Sequence, residues 1–160
     1  MNAPDIIQHL QLLPHPEGGF YRETYRAAYM VATPAPASRN VSTAIYYLLS
    51  DEDKSHFHRL ESDELWFFHQ GQPLEILLIQ NGALTTIVLG PDLTRGEVLQ
   101  AVIPAHTWFG ARVRDSRGFT LVSCTVSPGF DYADFELAER DALTREFPAL
   151  REVIEEFTRS

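Results

Sequence analysis

Between Phe20 and Val126 the chain is a succession of short runs with strand composition, and no interval between them is long enough for repeated crossover helices. The runs are Phe20 to Tyr25, Ser42 to Leu49, Lys54 to Arg59, Glu64 to His69, Leu74 to Ile79, Leu84 to Leu89, Val98 to Ile103, Thr107 to Val113 and Phe119 to Val126. Neighbouring parallel strands need a connection of roughly a dozen residues or more. That requirement disfavours a parallel α/β sheet, and many short strands at close spacing point to an all-β sandwich or barrel. Asn81-Gly82 between two such runs is a hairpin signal. Thr33 to Ser38, with its two prolines, and Arg114 to Gly118 read as loops. The expected architecture is a small double-sheet jelly roll.

Helical patterns are confined to the two ends. Ile6, Ile7, Leu10 and Leu13 have helical spacing and Pro4 suits a first turn, so a short helix is expected to end near Leu13. Ala133 to Phe147 and Leu150 to Phe157 also read as helices, broken by Pro148. With no internal repeat and no linker, residues 1–160 read as one domain, a size that supports a core without staples.

The formal charge of −9 disfavours a nucleic-acid or anionic-membrane partner, because both demand a cationic face. Many of the acids fall in the last thirty residues, where they serve solubility. Cys124 is the only cysteine, which rules out an intrachain disulfide; it sits in an apolar run and is expected to be an inert buried thiol. Met1 to Asp5 has neither a basic region nor a long apolar stretch, and no span is apolar enough for a membrane, so a cytoplasmic protein is expected.

The chemistry-bearing residues cluster. In an extended strand alternate side chains share a face, so His56 and His58 are expected to face one way. Glu64 opens the next run, and if the two runs pair, two imidazoles and a carboxylate converge. Such a trio can hold a divalent metal as a facial triad or move protons. Glu61 and Asp63 could stand in for Glu64, whereas His69, five residues on, is expected on the opposite face. A second cluster lies on Pro16 to Arg26, Pro16-Glu17-Gly18-Gly19 and the strand after it, where alternation puts Tyr21, Glu23 and Tyr25 on one face and Phe20, Arg22, Thr24 and Arg26 on the other. Either one face lines a wet pocket or this is an edge strand with solvated charges. Trp66, Phe68, Trp108 and Phe109 are candidate aromatic walls, and Tyr46 or Tyr47 could bring a hydroxyl to the cavity. The chain has no phosphate-binding glycine loop, no nucleophile elbow and no Cys-x-x-Cys pair.

His56-x-His58, then Glu64, then Gly71 seven residues beyond it resemble the first motif of the cupin superfamily. The second motif reads Pro104-Ala105-His106-Thr107-Trp108-Phe109-Gly110, with Phe109 where cupins usually carry a ligating histidine. His106 stands where they usually have glycine and is expected to point elsewhere. Further marks are Leu13 to Gly19, Arg22 to Tyr25, Ser42 to Leu49, Gly71 to Leu74, Leu89-Gly90 and Ser127 to Phe135. Together they resemble cupin family 5, a group of small RmlC-like cupins largely without assigned reactions.

The resemblance implies a double-stranded β-helix with short flanking helices, a cytosolic homodimer and a ligand pocket inside the barrel. A more distant likeness is to dTDP-sugar 3,5-epimerases, whose Gly-x-Phe-x-Glu strand would correspond to Gly19, Tyr21 and Glu23. The expected function is therefore a small-molecule-binding cupin, a metal-independent isomerase or epimerase acting on a sugar-like or carbonyl compound. The alternatives are a metal-dependent enzyme of dioxygenase type and a non-catalytic binding or sensor protein. Expected catalytic residues are His56, His58 and Glu64, and expected ligand contacts are Tyr21, Glu23, Tyr25, Tyr47, Trp66, Trp108 and Phe109. A divalent transition metal, if present, would sit on His56, His58 and Glu64, but Phe109 removes the usual fourth ligand and makes weak or no binding the expectation. Replacing His58 or Glu64 by Ala is expected to abolish ligand binding with little effect on stability.

Overall fold

The computed structural model describes residues 1–34 and 37–160, so Ala35 and Pro36 of the expected Thr33 to Ser38 loop lie outside the described residues. Helix α1 (Ala3–Leu10) is followed by β1 (Leu13–Pro14), β2 (Phe20–Arg26), β3 (Met30–Ala32), β4 (Ser38–Asn40), β5 (Thr43–Ser50), β6 (Lys54–Arg59), β7 (Asp63–Gly71) and β8 (Leu74–Gln80). Then come β9 (Ala83–Leu89), β10 (Gln100–Ile103), β11 (Trp108–Val113), β12 (Phe119–Ser127), β13 (Glu136–Leu137), α2 (Arg140–Glu146) and α3 (Arg151–Glu156).

Two antiparallel sheets face each other as a jelly roll. The first has the order β1-β2-β5-β12-β7-β10 and the second β13-β6-β11-β8-β9, with β3 and β4 forming a separate hairpin. Asn81 and Gly82 both take positive φ, 52° and 74°, which makes the β8–β9 connection the tight turn that their sequence signals.

Three apolar layers follow from strand alternation. Between the sheets lie Leu49, Trp66, Ile76, Leu78, Phe109, Val113 and Val122 with their neighbours. The outer face of the second sheet, with Phe57, Leu77, Ile79 and Trp108, is covered by Leu143, Ile154 and Phe157 of the C-terminal segment. The outer face of the first sheet, with Leu48 and Leu121, is covered by Ile6 of α1 and by Leu12. The terminal helices thus seal the two outer faces, and the interior is left to the strands. No described helix is long and apolar enough to cross a membrane.

The ends differ from expectation in two places. Helix α1 stops at Leu10 because Gln11 turns left-handed at φ 56°, after which Leu12 is buried and Leu13 joins a strand. Ala133 to Phe147 is not one helix. Asp131 caps a single turn at Tyr132–Asp134, and Glu136–Leu137 then pairs with β6. The helix begins only at Arg140, where Glu139 accepts from two amides of its first turn. Pairing with the edge of β6 outcompetes helix propensity here.

Candidate functional site

A cavity of about 390 Å³ opens at one end of the barrel, within the usual size range of small-molecule pockets. Its walls come from β2 (Tyr21, Glu23, Arg26), β5 (Thr43, Ile45), β7 (Glu64, Trp66) and β12 (Cys124, Val126), with His58 from the opposite sheet. His15 and Glu17 enter from the loop after β1, Leu60 from the turn after β6, and Phe130, Asp131, Tyr132 and Phe135 from a strap that crosses the mouth. The strap is held by a two-bond ion pair between Arg39 and Asp134, at 2.7 and 2.9 Å. It is further held by the Phe130 amide donating to Thr43 Oγ1 at 2.9 Å.

The centre of the site is a buried pair. His58 Nε2 lies 2.6 Å from Glu17 Oε2, with side chains 3% and 6% exposed. His58 Nδ1 faces the His56 carbonyl at 2.7 Å and so carries a proton; Nε2, facing a carboxylate, shares a second one, which makes the pair imidazolium–carboxylate. Burial pulls the His58 imidazole down, but the Glu17 charge and hydrogen bond hold it above its ordinary value. Burial pushes the Glu17 carboxyl up, and the His58 charge and hydrogen bond bring it below the usual range.

Glu17 is fixed by its own backbone. Its carbonyl accepts from His56 twice, from the amide and from Nδ1, both at 2.7 Å. The next carbonyl, of Gly18, accepts from the Tyr47 hydroxyl at 2.5 Å, and the Gly19 amide donates to Asp53 Oδ2 at 2.9 Å. Only glycine fits this path. A Cβ on Gly18 would stand 1.9 Å from the Lys54 carbonyl oxygen, and φ there is +108°. The Glu17 amide donates to His15 Nδ1 at 3.1 Å, which places the proton of His15 on Nε2 and keeps the ring neutral; burial lowers its pKa in the same direction.

Glu64 is the third ionisable group. It is 7% exposed, and Trp66, two residues along the same face of β7, donates its indole N–H to Glu64 Oε1. Burial first, then the Glu17 charge, raise the Glu64 carboxyl to about 7; His58 and the Trp66 hydrogen bond oppose them. Cys124 faces the same cavity, and burial holds its thiol far above the ordinary value, so it stays protonated.

Two β-bulges decide which expected residues arrive here. On β6, His58 pairs with Phe109 but Ser55 pairs with Ala111, so two residues, His56 and Phe57, oppose Gly110 alone. Their amides bond elsewhere, to the carbonyls of Glu17 and Phe157. The expected shared face of His56 and His58 is therefore broken: His58 lines the cavity, whereas His56 lies outside it and supports Glu17. On β2, Glu23 pairs with Ile45 and Tyr25 with Ala44, which leaves Thr24 extra. That slip carries Tyr25 to the solvent, 57% exposed, and brings Arg26 into the cavity beside Glu23.

The other expected contacts divide. Tyr21, Glu23 and Trp66 line the cavity. Tyr47 is buried behind Gly18 and does not line it. Phe109 lies under the His58 ring, 4.2 Å between centroids, and forms a floor below the lining. Trp108, one residue earlier, faces the opposite side, against the C-terminal helices and beneath Arg59. His69 reaches Ser123 on the outer face of the first sheet, and His106 is exposed beside Glu61. His58 is also too buried for the expectation that its removal leaves stability untouched, since an ion pair and two aromatic contacts would go with it.

The residues that sequence alone did not assign to the site are Glu17, His15 and Arg26, with Thr43 and the strap. Pro16-Glu17-Gly18-Gly19 carried a usable signal, because two glycines beside a charged residue mark a close backbone approach. The Arg26 bulge had none.

A metal on His56, His58 and Glu64 does not fit this arrangement. Both ring nitrogens of His58 are engaged and His56 is turned away. Among the described residues no three His, Cys, Asp or Glu side chains are grouped so as to hold an ion.

A family model described as Cupin superfamily (DUF985), cupin family 5, matches residues 4–138, and the chain belongs to that family. It is similar to an uncharacterized protein of Saccharomyces cerevisiae, 31% identical over 143 residues, which are 81% of this chain and 71% of that protein. It also resembles the solved structure of a hypothetical protein from Leishmania major at 38% identity and TM-score 0.93, with both chains fully covered. A protein from Shewanella oneidensis matches at 43% identity and TM-score 0.91 over 99% of this chain and 98% of that one.

Proposed function

We propose that the cavity binds a small sugar-like or carbonyl compound and that Glu64 transfers a proton on it, as in a metal-independent isomerase or epimerase. The observation that carries this reading is the Glu64 carboxyl itself. It lines the cavity while itself buried, has one oxygen fixed by Trp66 and is raised to about 7. A general base works best with a pKa near the working pH. Removing a proton from the carbon beside a carbonyl breaks that C–H bond, moves the proton to the Glu64 carboxylate and leaves an enolate. Returning it on the same face to the former carbonyl carbon, while the proton of the neighbouring hydroxyl passes to the enolate oxygen, shifts the carbonyl. Inversion of the original centre requires the enolate to turn its other face to Glu64 before the proton returns. The His58 imidazolium, fixed by Glu17 and His56, forms with Glu17 a pair without net charge, so its part is to set the field in which Glu64 titrates and not to bind the enolate oxygen.

Sequence reading put both histidines in the catalytic role. The geometry supports Glu64 as the proton carrier, His58 with Glu17 as a fixed electrostatic partner, and His56 as a positioning residue. The test is incubation of the protein with aldoses and ketoses in deuterated water, followed by NMR. Deuterium entering beside the carbonyl with the wild type, and not with Glu64→Gln, supports the reading. A sugar that binds without exchange would assign the cavity to binding alone.

A further inference from the structure

Resting on the reading of the cavity as a small-molecule site, we infer that its occupant carries no negative charge: it is a neutral, hydroxyl-rich compound, and phosphate esters and nucleotide-linked sugars are rejected. The residues that set this selection are Glu23 and Arg26.

Arg26 is the one side chain with a permanent positive charge among the described residues of the lining. It stands at the mouth with Glu23, each 38% exposed, where an anionic ligand would meet it first. Yet all three of its nitrogens are engaged. Nε and Nη2 donate to the two carboxylate oxygens of Glu23 at 3.2 and 2.6 Å. Nη1 donates to Asn40 Oδ1 at 2.8 Å, and Nη2 also to the Phe130 carbonyl at 3.0 Å. A guanidinium recognises phosphate through a fork of two free N–H groups, and here Glu23 already occupies that fork.

The other nitrogen bases do not replace it. The charge of His58 is matched by Glu17, and His15 is held neutral by the Glu17 amide. The hydroxyls of Tyr21, Tyr132 and Thr43 are neutral groups of the lining. The charged groups left facing the ligand are Glu64 and, on the strap, Asp131, whose Oδ1 is taken by the Ala133 amide. They reward hydroxyl donors and repel a phosphate, while Ile45, Leu60 and Val126 offer an apolar wall to the C–H face of such a compound. The β2 bulge that places Arg26 in the cavity therefore supplies a structural clamp on the Phe130 strap, not an anion hook.

The test uses methyl phosphate as probe and the Trp66 indole N–H resonance as reporter, since that group sits in the cavity wall. In the wild type the resonance should not respond saturably to methyl phosphate. Glu23→Gln, which frees the Arg26 fork, should bind it at least tenfold more tightly. Wild-type binding as tight as that of Glu23→Gln overturns the inference. Should Glu23→Gln fail to fold, Arg26→Gln decides: unchanged phosphate response supports a saturated arginine, and loss of a wild-type response shows a hook and overturns it. The isotope-exchange test uses unphosphorylated sugars and depends on Glu64, so either result can fail while the other stands.

Discussion

His58 Nε2 and Glu17 Oε2 meet at 2.6 Å inside the barrel, and the bonds around them close into a ring. His58 Nδ1 donates to the His56 carbonyl, while the His56 amide and ring nitrogen both donate to the Glu17 carbonyl. The ring ties a loop residue to a strand of the opposite edge and sets the charge beside which Glu64 titrates.

Removing one partner should show how much this pair carries. Glu17→Ala leaves a buried imidazole without its carboxylate, and breaking a buried pair costs about 3–5 kcal/mol. Urea unfolding of Glu17→Ala should show a loss of that order. Glu17→Gln, which keeps the shape and one hydrogen bond, should lose less. A loss for Glu17→Ala within about 0.5 kcal/mol, the level of an ordinary surface change, would mean that the pair does not form.

The pH dependence of stability follows from the signs of the shifts. Glu64 is raised from 4.5 to about 7, so the folded chain holds this proton more tightly than the unfolded one. Its contribution is full below the unfolded value and is lost as pH rises to about 7, on the order of 3 kcal/mol in all. His58 is raised, so its contribution is full below 6.5 and is lost as pH rises through its folded value. Glu17 is lowered, and its contribution is present above its unfolded value and lost in acid as pH falls through its folded value. His15 and His56 are lowered and oppose this decline between their folded values and 6.5, so the readout in denaturant unfolding is the difference between wild type and Glu64→Gln, the wild type losing more stability from pH 4.5 to about 7. Glu64→Gln should remove the part of that decline that lies below about pH 7; an unchanged slope would place Glu64 in an ordinary environment.

Backbone approach at Gly18 makes a sharper structural prediction. Gly18→Ala puts a Cβ against the Lys54 carbonyl at a φ of +108°, and should cost more than about 3 kcal/mol or prevent folding. Gly82→Asn is the control. Its φ is also positive, at +74°, but nothing lies within 4 Å and asparagine tolerates that region. Its thermal midpoint should stay near that of the wild type.

Self-association is expected at the first sheet's edge. β1 pairs only with Phe20 and Tyr21, so the outer side of β2 from Arg22 to Arg26 has no strand neighbour among the described residues. Open edges invite pairing, and pairing about a two-fold axis closes. Sedimentation equilibrium at micromolar concentration should give a dimer; a monomer at every concentration would refute it.

Much of the fold was legible because strand runs, the Asn81-Gly82 turn and proline breaks are local signals. The extent of the C-terminal helix was not, since the pairing of Glu136–Leu137 with β6 is a tertiary event. Glu64 and Trp66 were legible because their part of β7 keeps its alternation. His56, Tyr25 and Arg26 were not. Each lies at or just past a bulge, where one extra residue reverses the face, and the hydrogen bonds that stabilise the bulge on β6 come from Glu17 and Phe157, distant in sequence. Trp108 and Phe109 show the same rule in its simple form: adjacent residues on one strand belong to different layers.

The most direct test of the central claim is to titrate Glu64 in the folded protein, following its carboxyl carbon by NMR with Glu64→Gln to assign the signal. A midpoint of about 7 is the predicted result, with a perturbation in Glu17→Gln because the neighbouring charge is gone. A midpoint near 4.5 would contradict it, since a carboxyl that is fully ionised at neutral pH is too weak a base for the proton transfer proposed.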